Sequence, residues 1–503
     1  MTTRRDALLV GGVAGLVGLA VAELAAALTR ARLSPVQAVG EAVIELTPGS
    51  LAERAIDAVG QWDKPLLVGG VVVGLIVASA LAGLAGRRRP AVGTQVLLAL
   101  ALLGVVAVMT RDDAGSLAFV APAVGGAAAA GALAVLLAHT PTAGSTGVAP
   151  ESSRRQFLVW SAAVVATAAV VGGMSRLVGQ ARRNVDAARD ALSLGLSKAV
   201  APKGVDLGVA GVEPWLTPAE DFYRIDTSLA PPLIEPQEWE LRIHGRVDRE
   251  VTITYEQLVE RGLQDAWVTL CCVSNEVGGE LISNALWSGV PTADLLAEAG
   301  VHDDADAVLQ RSSDGWTCGT PLAALTDGRS SLLAVAMNGE PLPVEHGFPV
   351  RVVVPGLYGF VSATKWVVDW EVSRFEDFDA YWTERGWAEE GPVKTQSRID
   401  TPRGGSELSS GRVRVGGVAW AQHTGIERVE VQVDGGKWSQ ATLGADPSVD
   451  TWVQWVWDWD ATPGEHRLAV RATDRAGNTQ TEERAPTVPD GATGWHSVEV
   501  EVG

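Results

Sequence analysis

Cysteine is scarce in this sequence. Only Cys271, Cys272 and Cys318 occur among 503 residues, so no disulfide framework supports the chain, and the odd number leaves at least one thiol free. Three cysteines are also too few to ligate an iron–sulfur cluster, and the C-x-x-C-H haem attachment motif is absent from the sequence. Neither of these electron carriers is therefore built into the chain.

Positive charge is also in short supply. The chain has 40 Lys and Arg against 60 Asp and Glu, which gives a formal net charge of -20. Nucleic-acid phosphates require a basic surface, so this balance argues against a nucleic-acid partner. The acidity is more typical of a surface that keeps a protein soluble.

Long apolar runs, by contrast, fill the first 180 residues. The mean hydropathy of the chain is +0.15, and Ala, Val, Leu and Gly dominate this part. Because about 20 apolar residues cross a hydrocarbon core of about 30 Å, such runs predict transmembrane helices. The predicted spans are about 7–29, 66–86, 93–110, 117–138 and 157–175.

Arginines near the span ends predict the orientation of the membrane part. Cationic loops face the cytoplasm, and with the N-terminus inside, the clusters Arg4–Arg5, Arg87–Arg89 and Arg154–Arg155 all lie on that side. Five spans then place everything after about residue 180 outside. We therefore expect a multi-pass protein of the cell membrane whose C-terminal part is extracytoplasmic.

The last arginine pair has a second interpretation. Residues 152–158 read SSRRQFL before an apolar run, which resembles the twin-arginine export signal, although about 150 residues precede it. Twin-arginine export carries folded cargo, so the motif hints at a cofactor inserted in the cytoplasm. An arginine pair before a span is also an ordinary cytoplasmic anchor, and the residues leave both interpretations open.

The rest of the chain shows two patterns. Residues 205–390 mix strand-like runs such as PVRVVVPG with short helical pieces such as TADLLAEAG, which predicts one α+β domain. Residues 393–503 carry short alternating strands between turn signals, which predicts a β-sandwich of immunoglobulin type. One of its strands has a stripe of tryptophans on a single face, typical of a core. We therefore expect a transmembrane anchor over 1–180 followed by these two domains.

Two neighbouring cysteines end an apolar strand. In WVTLCCVSNEVGG, Cys271 and Cys272 precede a loop of Ser, Asn and Gly. Neighbouring strand residues point to opposite faces, so the two thiols cannot both address one site. One of them is expected in the core, as an isolated cysteine usually is, and the other is a candidate functional thiol.

Cationic side chains punctuate two further stretches. His346, Arg351 and Lys365 interrupt the otherwise apolar MNGEPLPVEHGFPVRVVVPGLYGFVSATKW, and Arg224 stands among aromatic neighbours in DFYRIDT. His, Arg and Lys brought together are donors suited to an anionic group such as a phosphate. For each residue alone, the alternative is a structural ion pair.

Taken in order along the chain, these stretches resemble the sulfite oxidase family of molybdopterin enzymes. DFYRIDT, TLCCVSN with LWSGVPTADLL, and MNGEPLPVEHGFPVRVVVPG with the following KW carry the resemblance, which covers roughly residues 210–503. It implies oxygen-atom transfer at molybdenum held by molybdopterin, with Cys272 of a C-x-x-N setting as catalytic residue and metal ligand. The cofactor-binding residues that it implies are Tyr223, Arg224, Asn275, Asp314, His346, Arg351 and Lys365.

The sequence departs from the animal and plant sulfite oxidases beside the substrate. Those enzymes have an arginine pair after the cysteine motif, whereas Glu276 and Val277 follow Asn275 here. Arg224 is then the obvious cation for an anionic substrate and counts as a catalytic candidate. A small sulfur oxyanion such as sulfite is the first substrate hypothesis, and a neutral sulfoxide, as in the family's methionine sulfoxide reductases, is the alternative.

The resemblance also implies partners. Without a haem motif or an iron–sulfur ligand set, electrons must pass through a separate carrier, a cytochrome or a quinone-linked subunit. The sandwich is similar to the family's C-terminal dimerisation domain, which implies a homodimer. A non-enzymatic membrane receptor, whose sandwich binds a ligand, is the hypothesis from another class. On that view the export motif, the cysteines and the cationic set would each be a coincidence.

Overall fold

The chain forms two compact units, Met1–Arg183 and Asn184–Gly503. The structure is a computed structural model, and it describes residues 4–29, 34–47, 63–110, 117–138 and 182–503. The predicted fifth span, 157–175, and the SSRRQFL stretch lie outside the described residues. The first four predicted spans can therefore be compared with the structure, and the fifth cannot.

The described part of the N-terminal unit is helical. Its helices are α1 (Arg4–Leu28), α2 (Pro35–Leu46), α3 (Asp63–Gly86), α4 (Pro90–Met109) and α5 (Val120–Ala138). All except α2 are long and apolar enough to cross a membrane, and they coincide with the first four predicted spans. The shorter α2 begins with a capping box, in which Ser34 and Gln37 bond to each other's backbone.

Small residues let these helices approach closely. A Cβ at Gly83 of α3 would lie 2.6 Å from Gly11 Cα in α1, and a Cβ at Gly18 of α1 would lie 2.6 Å from Ala129 Cβ in α5. Apolar side chains gain little by leaving lipid for one another, so close backbone packing at small residues is what holds apolar helices together. The described helices therefore pack as a bundle.

The C-terminal unit begins with two sheets and a few short helices. One sheet has the order β2-β1-β10-β5-β6 and consists of β1 (Glu240–Gly245), β2 (Val251–Thr254), β5 (Ala307–Ser312), β6 (Thr317–Pro321) and β10 (Val367–Ser373). The other has the order β3-β4-β7-β8, with β9 beside β7, and consists of β3 (Gln264–Cys271), β4 (Ile282–Pro291), β7 (Leu332–Met337), β8 (Glu340–Pro341) and β9 (Arg351–Val353). The helices are α6 (Tyr255–Glu260), α7 (Thr292–Ala299) and α8 (Leu322–Thr326).

The hairpin of β3 and β4 positions the cysteines. The two strands pair in antiparallel register from Gln264 opposite Gly289 to Cys271 opposite Ile282. Nearly every residue of β4 is buried, so this hairpin forms part of the core rather than of the surface. The connection between the strands, residues 272–281, is called the cysteine loop below.

Two further sheets follow after residue 393. The first has the order β11-β13-β17-β16 and consists of β11 (Gln396–Thr401), β13 (Gly411–Trp420), β16 (Thr442–Leu443) and β17 (Val453–Ala461). The second has the order β12-β19-β18-β14-β15 and consists of β12 (Glu407–Leu408), β14 (Ile426–Val433), β15 (Ser439–Gln440), β18 (Gly464–Asp474) and β19 (His496–Val502). Side chains from both sheets share one apolar cluster that includes Trp455 and Trp459. The tryptophan stripe therefore lies in a core, as predicted.

This pair of sheets is joined to the cysteine hairpin by a common apolar cluster. Cys271, Val273 and Ile282 of the hairpin pack with Trp420 and Trp452 of the later strands. Trp215 belongs to the same cluster. Its indole N–H donates to Trp452 O at 3.1 Å, and the indole N–H of Trp452 donates to Trp215 O at 2.9 Å. The two predicted domains after residue 205 thus share buried surface within one compact unit.

Candidate active site

The two cysteines occupy different environments. Cys271 ends β3 and is buried in the apolar cluster, whereas Cys272 is partly exposed at the start of the cysteine loop. Cys272 N–H donates to Leu281 O at 2.9 Å, and Asn275 N–H donates to Cys272 O at 3.1 Å. The Asn275 side chain closes the loop, because its Oδ1 accepts the Leu281 N–H at 2.8 Å. Asn275 thus shapes the loop that presents Cys272.

Neither thiol is ionised by the protein alone. Burial raises the pKa of Cys272, and hydrogen bonds from the backbone and side chain of Ser274 oppose that rise. Burial raises the pKa of Cys271 well above its ordinary value, and the neighbouring Cys272 adds to the effect. A thiolate at Cys272 therefore requires a nearby positive charge such as a metal ion.

The backbone holds Arg351 and Lys365 side by side. Arg351 begins β9, and an antiparallel bridge pairs it with Lys365. Gly347 permits this arrangement: its φ is +110°, and a Cβ there would lie 3.0 Å from Arg351 Cβ and 3.2 Å from Lys365 Cβ. A larger residue at 347 would press on both cationic side chains and would be strained by its own backbone.

The Arg351 guanidinium is buried without a carboxylate. Its hydrogen bonds go to the backbone carbonyls of Val352, His346 and Ala363 at 3.2–3.4 Å, and it lies 4.9 Å from the centroid of the Trp287 ring. No carboxylate of the described residues forms an ion pair with it. Burial lowers the pKa of Arg351 to about 10, so it remains charged at neutral pH. An enclosed cation bonded only to carbonyls is suited to receive an anion.

His346 is neutral beside these cations. Burial, and then the charges of Arg351 and Lys365, lower its pKa to about 4. Its Nε2 lies 3.1 Å from Ala219 O, so the ring carries its proton on Nε2 and donates it to that carbonyl. Phe222 packs edge-on against the imidazole with the ring centroids 5.6 Å apart. The DFYRIDT stretch therefore contacts the segment that carries His346.

Asp226 connects two of the predicted cationic residues. Its Oδ2 accepts from Arg224 Nε and from Lys365 Nζ, each at 2.8 Å. Burial lowers the pKa of Lys365 to about 8, and Asp226 opposes that fall. Asp226 was missed by the sequence analysis. The available signal was its place two residues after Arg224 in an extended stretch, where alternate side chains point the same way.

Tyr223 lies near the cysteines and near Arg351. A Cβ at Gly359 would lie 3.5 Å from Tyr223 Oη and 3.8 Å from Cys271 O. Burial raises the pKa of Tyr223 well above its ordinary value; Cys272 and Cys271 add to the rise and Arg351 opposes it. The phenol is therefore within electrostatic reach of both thiols and of the guanidinium.

Asp314 has a local role in the described structure. It lies in the turn between β5 and β6, where its Oδ1 accepts the Trp316 N–H at 3.1 Å. The adjacent Ser313 N–H donates to Trp366 O at 2.8 Å, which brings this turn to the residue after Lys365. Within residues 182–503, no hydrogen bond or ion pair joins the Asp314 carboxylate to the other predicted site residues.

Comparison with known proteins identifies the relatives of this chain. The family model described as the oxidoreductase molybdopterin binding domain matches residues 228–382. That range contains Cys272, Arg351 and Lys365, whereas Tyr223 and Arg224 lie just before it. Mitochondrial sulfite oxidase of Mus musculus is 30% identical over 344 residues, which cover 58% of this chain and 62% of that protein. The chain thus spans less than two thirds of the length of this relative.

Two further similarities bear on the family. The uncharacterized oxidoreductase YuiH of Bacillus subtilis is 34% identical over 150 residues, which cover 30% of this chain and 72% of that protein. The sulfane dehydrogenase SoxCD from Paracoccus pantotrophus shares the fold, with a TM-score of 0.50 at 24% sequence identity over 58% of this chain and 82% of that one. The resemblance found in the sequence is confirmed, and molybdopterin is the cofactor that it indicates. The chain belongs to the sulfite oxidase family of molybdopterin-dependent oxidoreductases.

Proposed function

We propose that this chain is a membrane-anchored molybdopterin enzyme that transfers an oxygen atom to a small sulfur oxyanion, with sulfite as the first candidate. In that reaction, sulfite gains one oxygen atom from water and releases two protons and two electrons. The observation that carries the proposal is the buried guanidinium of Arg351, which forms no ion pair with a carboxylate of the described residues. It is paired with Lys365 through the backbone, and Tyr223 lies within electrostatic reach both of Arg351 and of Cys272. Family membership leaves the receptor hypothesis without support.

The residues of this site fit the cofactor. Arg351 and Lys365 would hold its phosphate, because Arg351 is enclosed, its hydrogen bonds within the described part of the chain go to carbonyls, and Lys365 lies beside it. Neutral His346 and Tyr223 would add polar contacts to the pterin. When bound, molybdopterin supplies a dithiolene-held molybdenum able to exchange one oxygen atom and two electrons.

Cys272 would ligate the metal. It is the more exposed thiol of the pair, and the cysteine loop fixes its backbone through Leu281 and Asn275. A soft thiolate suits a molybdenum already bound by sulfur, and the metal's charge would remove the proton that burial otherwise keeps on Cys272. Cys271 would remain a core residue, and Asp314 would support the turn next to Lys365 rather than contact the cofactor.

Arg224 would orient the substrate. Its side chain is 40% exposed, and Nε is committed to Asp226, so the outer edge of the guanidinium faces away from that carboxylate. A planar guanidinium edge matches two oxygens of an oxyanion. Asp226 also compensates part of the charge of Arg224, and this observation favours the second candidate, reduction of a neutral sulfoxide.

The remaining parts of the proposal concern location and partners. The four long apolar helices would anchor the enzyme as a multi-pass protein. Together with the fifth span predicted over 157–175, the arginine clusters would place the catalytic unit on the extracytoplasmic side. Electrons would pass to or from a separate cytochrome or quinone-linked subunit. The sandwich, proposed to be of immunoglobulin type, would pair two chains as a homodimer.

Molybdenum analysis and two assays on one preparation test the function. Protein purified from cells supplied with molybdate should contain close to one molybdenum atom per chain. Sulfite oxidation with an artificial electron acceptor should exceed sulfoxide reduction with an artificial donor. Faster sulfoxide reduction would select the second candidate, and a chain with less than about a tenth of a molybdenum atom would contradict both, because the metal carries the chemistry.

A further inference from the structure

A buried ion pair of the later sheets lies next to the cysteine loop. Arg398 and Asp400 lie two residues apart in β11, where the register with β13 shifts between Ile399 and Thr401. Arg398 Nε lies 2.6 Å from Asp400 Oδ1, and the two side chains are only 7% and 8% exposed. Asp400 Oδ2 also accepts the Glu213 N–H at 3.0 Å. Ion pairs exposed to solvent contribute little to folding stability. A buried pair is stable only when further hydrogen bonds satisfy its charged atoms, because both charges have lost their contact with water.

Arg398 extends from this pair into the cysteine loop. Its Nη1 donates to Gly279 O at 2.7 Å. Two residues farther along, Leu281 bonds through its backbone to both Cys272 and Asn275. The Arg398 guanidinium thus binds the C-terminal half of the cysteine loop, two residues before the backbone hydrogen bonds that hold Cys272.

A second contact between the later sheets and the cysteine loop lies next to the first. Gly278 has φ +81°, and a Cβ there would lie 2.3 Å from His496 Cδ2, so only a glycine lets the loop lie against this imidazole. His496 Nδ1 accepts the Ile399 N–H at 2.9 Å, which fixes the ring beside β11. The cysteine loop therefore contacts β11 through Gly279 and β19 through Gly278.

We propose that Arg398 is a positioning residue for the cysteine loop, so that the later sheets help to place the Cys272 sulfur. A guanidinium can bond a carboxylate and a carbonyl at the same time because its donors form a planar fork. A lysine at this position would keep the charge and lose one of the two bonds. The inference rests on the proposed role of Cys272 as the metal ligand.

Two variants and one control test the inference in the whole, cofactor-loaded protein. Arg398→Lys keeps the charge, and the double variant Arg398→Met with Asp400→Asn removes both charges, so that neither is left buried alone. Arg412→Met is the control, because Arg412 pairs with Asp458 on the exposed side of a neighbouring strand. Hydrogen–deuterium exchange of residues 272–282 and of β13 and β17 is the primary measurement.

The expected result is selective loosening of the loop. In the double variant, amides of 272–282 should exchange about tenfold faster while those of β13 and β17 stay within about twofold, because one charge-assisted bond is lost locally. Arg398→Lys should give an intermediate effect and Arg412→Met none. Unchanged exchange in the loop, or an equal rise in loop and strands, would overturn the inference.

A second readout concerns the proposed metal ligand. If Arg398 positions Cys272, the double variant should retain molybdenum, show an altered Mo(V) electron paramagnetic resonance signal and lose kcat about tenfold at nearly constant KM, since misplacement of a reacting group affects mainly the chemical step. A wild-type signal with wild-type kcat would overturn this role. Exchange in the loop does not depend on turnover, so an inactive wild-type protein would refute the proposed function and leave the exchange test intact.

Discussion

Arg224 and Lys365 donate to the same oxygen of Asp226. Each nitrogen lies 2.8 Å from Asp226 Oδ2, and the Asp226 side chain is only 4% exposed. A buried carboxylate shared by two cations fixes the distance between them. The side chain proposed to orient the substrate is thereby linked to a side chain proposed to hold the cofactor.

Replacing Asp226 with asparagine removes the shared charge at nearly constant size. Burial lowers the pKa of Lys365 to about 8, and Asp226 is the carboxylate that limits this fall. In Asp226→Asn the pKa of Lys365 should fall further, so Lys365 should be neutral at about pH 8 and charged at about pH 6, and molybdopterin should dissociate about tenfold faster at the higher pH. Molybdenum per chain after dialysis at each pH measures this.

Asp221→Asn is the matched control, because Asp221 is an exposed carboxylate in the same stretch. Its retention of molybdenum should differ less between the two pH values than that of Asp226→Asn, because Asp226 still holds the pKa of Lys365 at about 8. Equal retention in Asp226→Asn would show that the shared carboxylate does not govern the charge of Lys365.

The two cysteines should respond differently to replacement with serine. Cys272→Ser should lower turnover at least about a hundredfold with little change in the melting temperature, because a hydroxyl is a much poorer ligand for a sulfur-bound metal. Cys271→Ser should keep most activity and lose about 1–3 kcal/mol of stability, because a hydroxyl would replace a buried apolar sulfur. Turnover and thermal unfolding of the two variants are the measurements, and equal loss of activity in both would contradict the assignment.

Replacing Arg351 with methionine should weaken cofactor binding without destabilising the cofactor-free protein. Arg351→Met should lower molybdenum content at least about tenfold, because an enclosed guanidinium is a strong phosphate donor. In cofactor-free protein from a host that makes no molybdopterin, the same change should leave the free energy of unfolding unchanged or raise it by about 1–3 kcal/mol, because it removes a desolvated charge that lacks a carboxylate.

Arg242→Met is the control for that variant, because Arg242 pairs with Glu250 on the surface. It should change neither molybdenum content nor stability. A destabilised Arg351→Met protein with full molybdenum content would identify Arg351 as a structural cation only.

Local patterns predicted more of this molecule than long-range contacts did. Hydropathy alone located the four long helices, since length and apolarity are properties of a single segment. The cations Arg351 and Lys365 were visible because each interrupts an apolar run. Arg398 was not, because its bond to Gly279 joins residues more than a hundred positions apart, and no local rule places one beside the other. The carboxylate of Asp226 was near enough in sequence, and its place two residues after Arg224 was the one local signal that could have identified it.

Two histidines, the buried His346 and the partly buried His496, should make the protein sensitive to acid. Burial lowers the pKa of both His346 and His496 from 6.5 to about 4, and Arg351 and Arg398 respectively add to the effect. Between about pH 6.5 and pH 4 the unfolded chain binds these protons and the folded chain does not. The free energy of unfolding should therefore decrease by up to about 1.4 kcal/mol per histidine for each unit by which the pH is lowered.

His496→Gln keeps an acceptor for the Ile399 N–H and does not titrate. Its loss of unfolding free energy between about pH 7 and pH 5 should therefore be smaller than that of the wild type by about 2 kcal/mol. Denaturant unfolding of both proteins at the two pH values measures the difference, and identical losses would mean that His496 is already protonated in the folded state at pH 5.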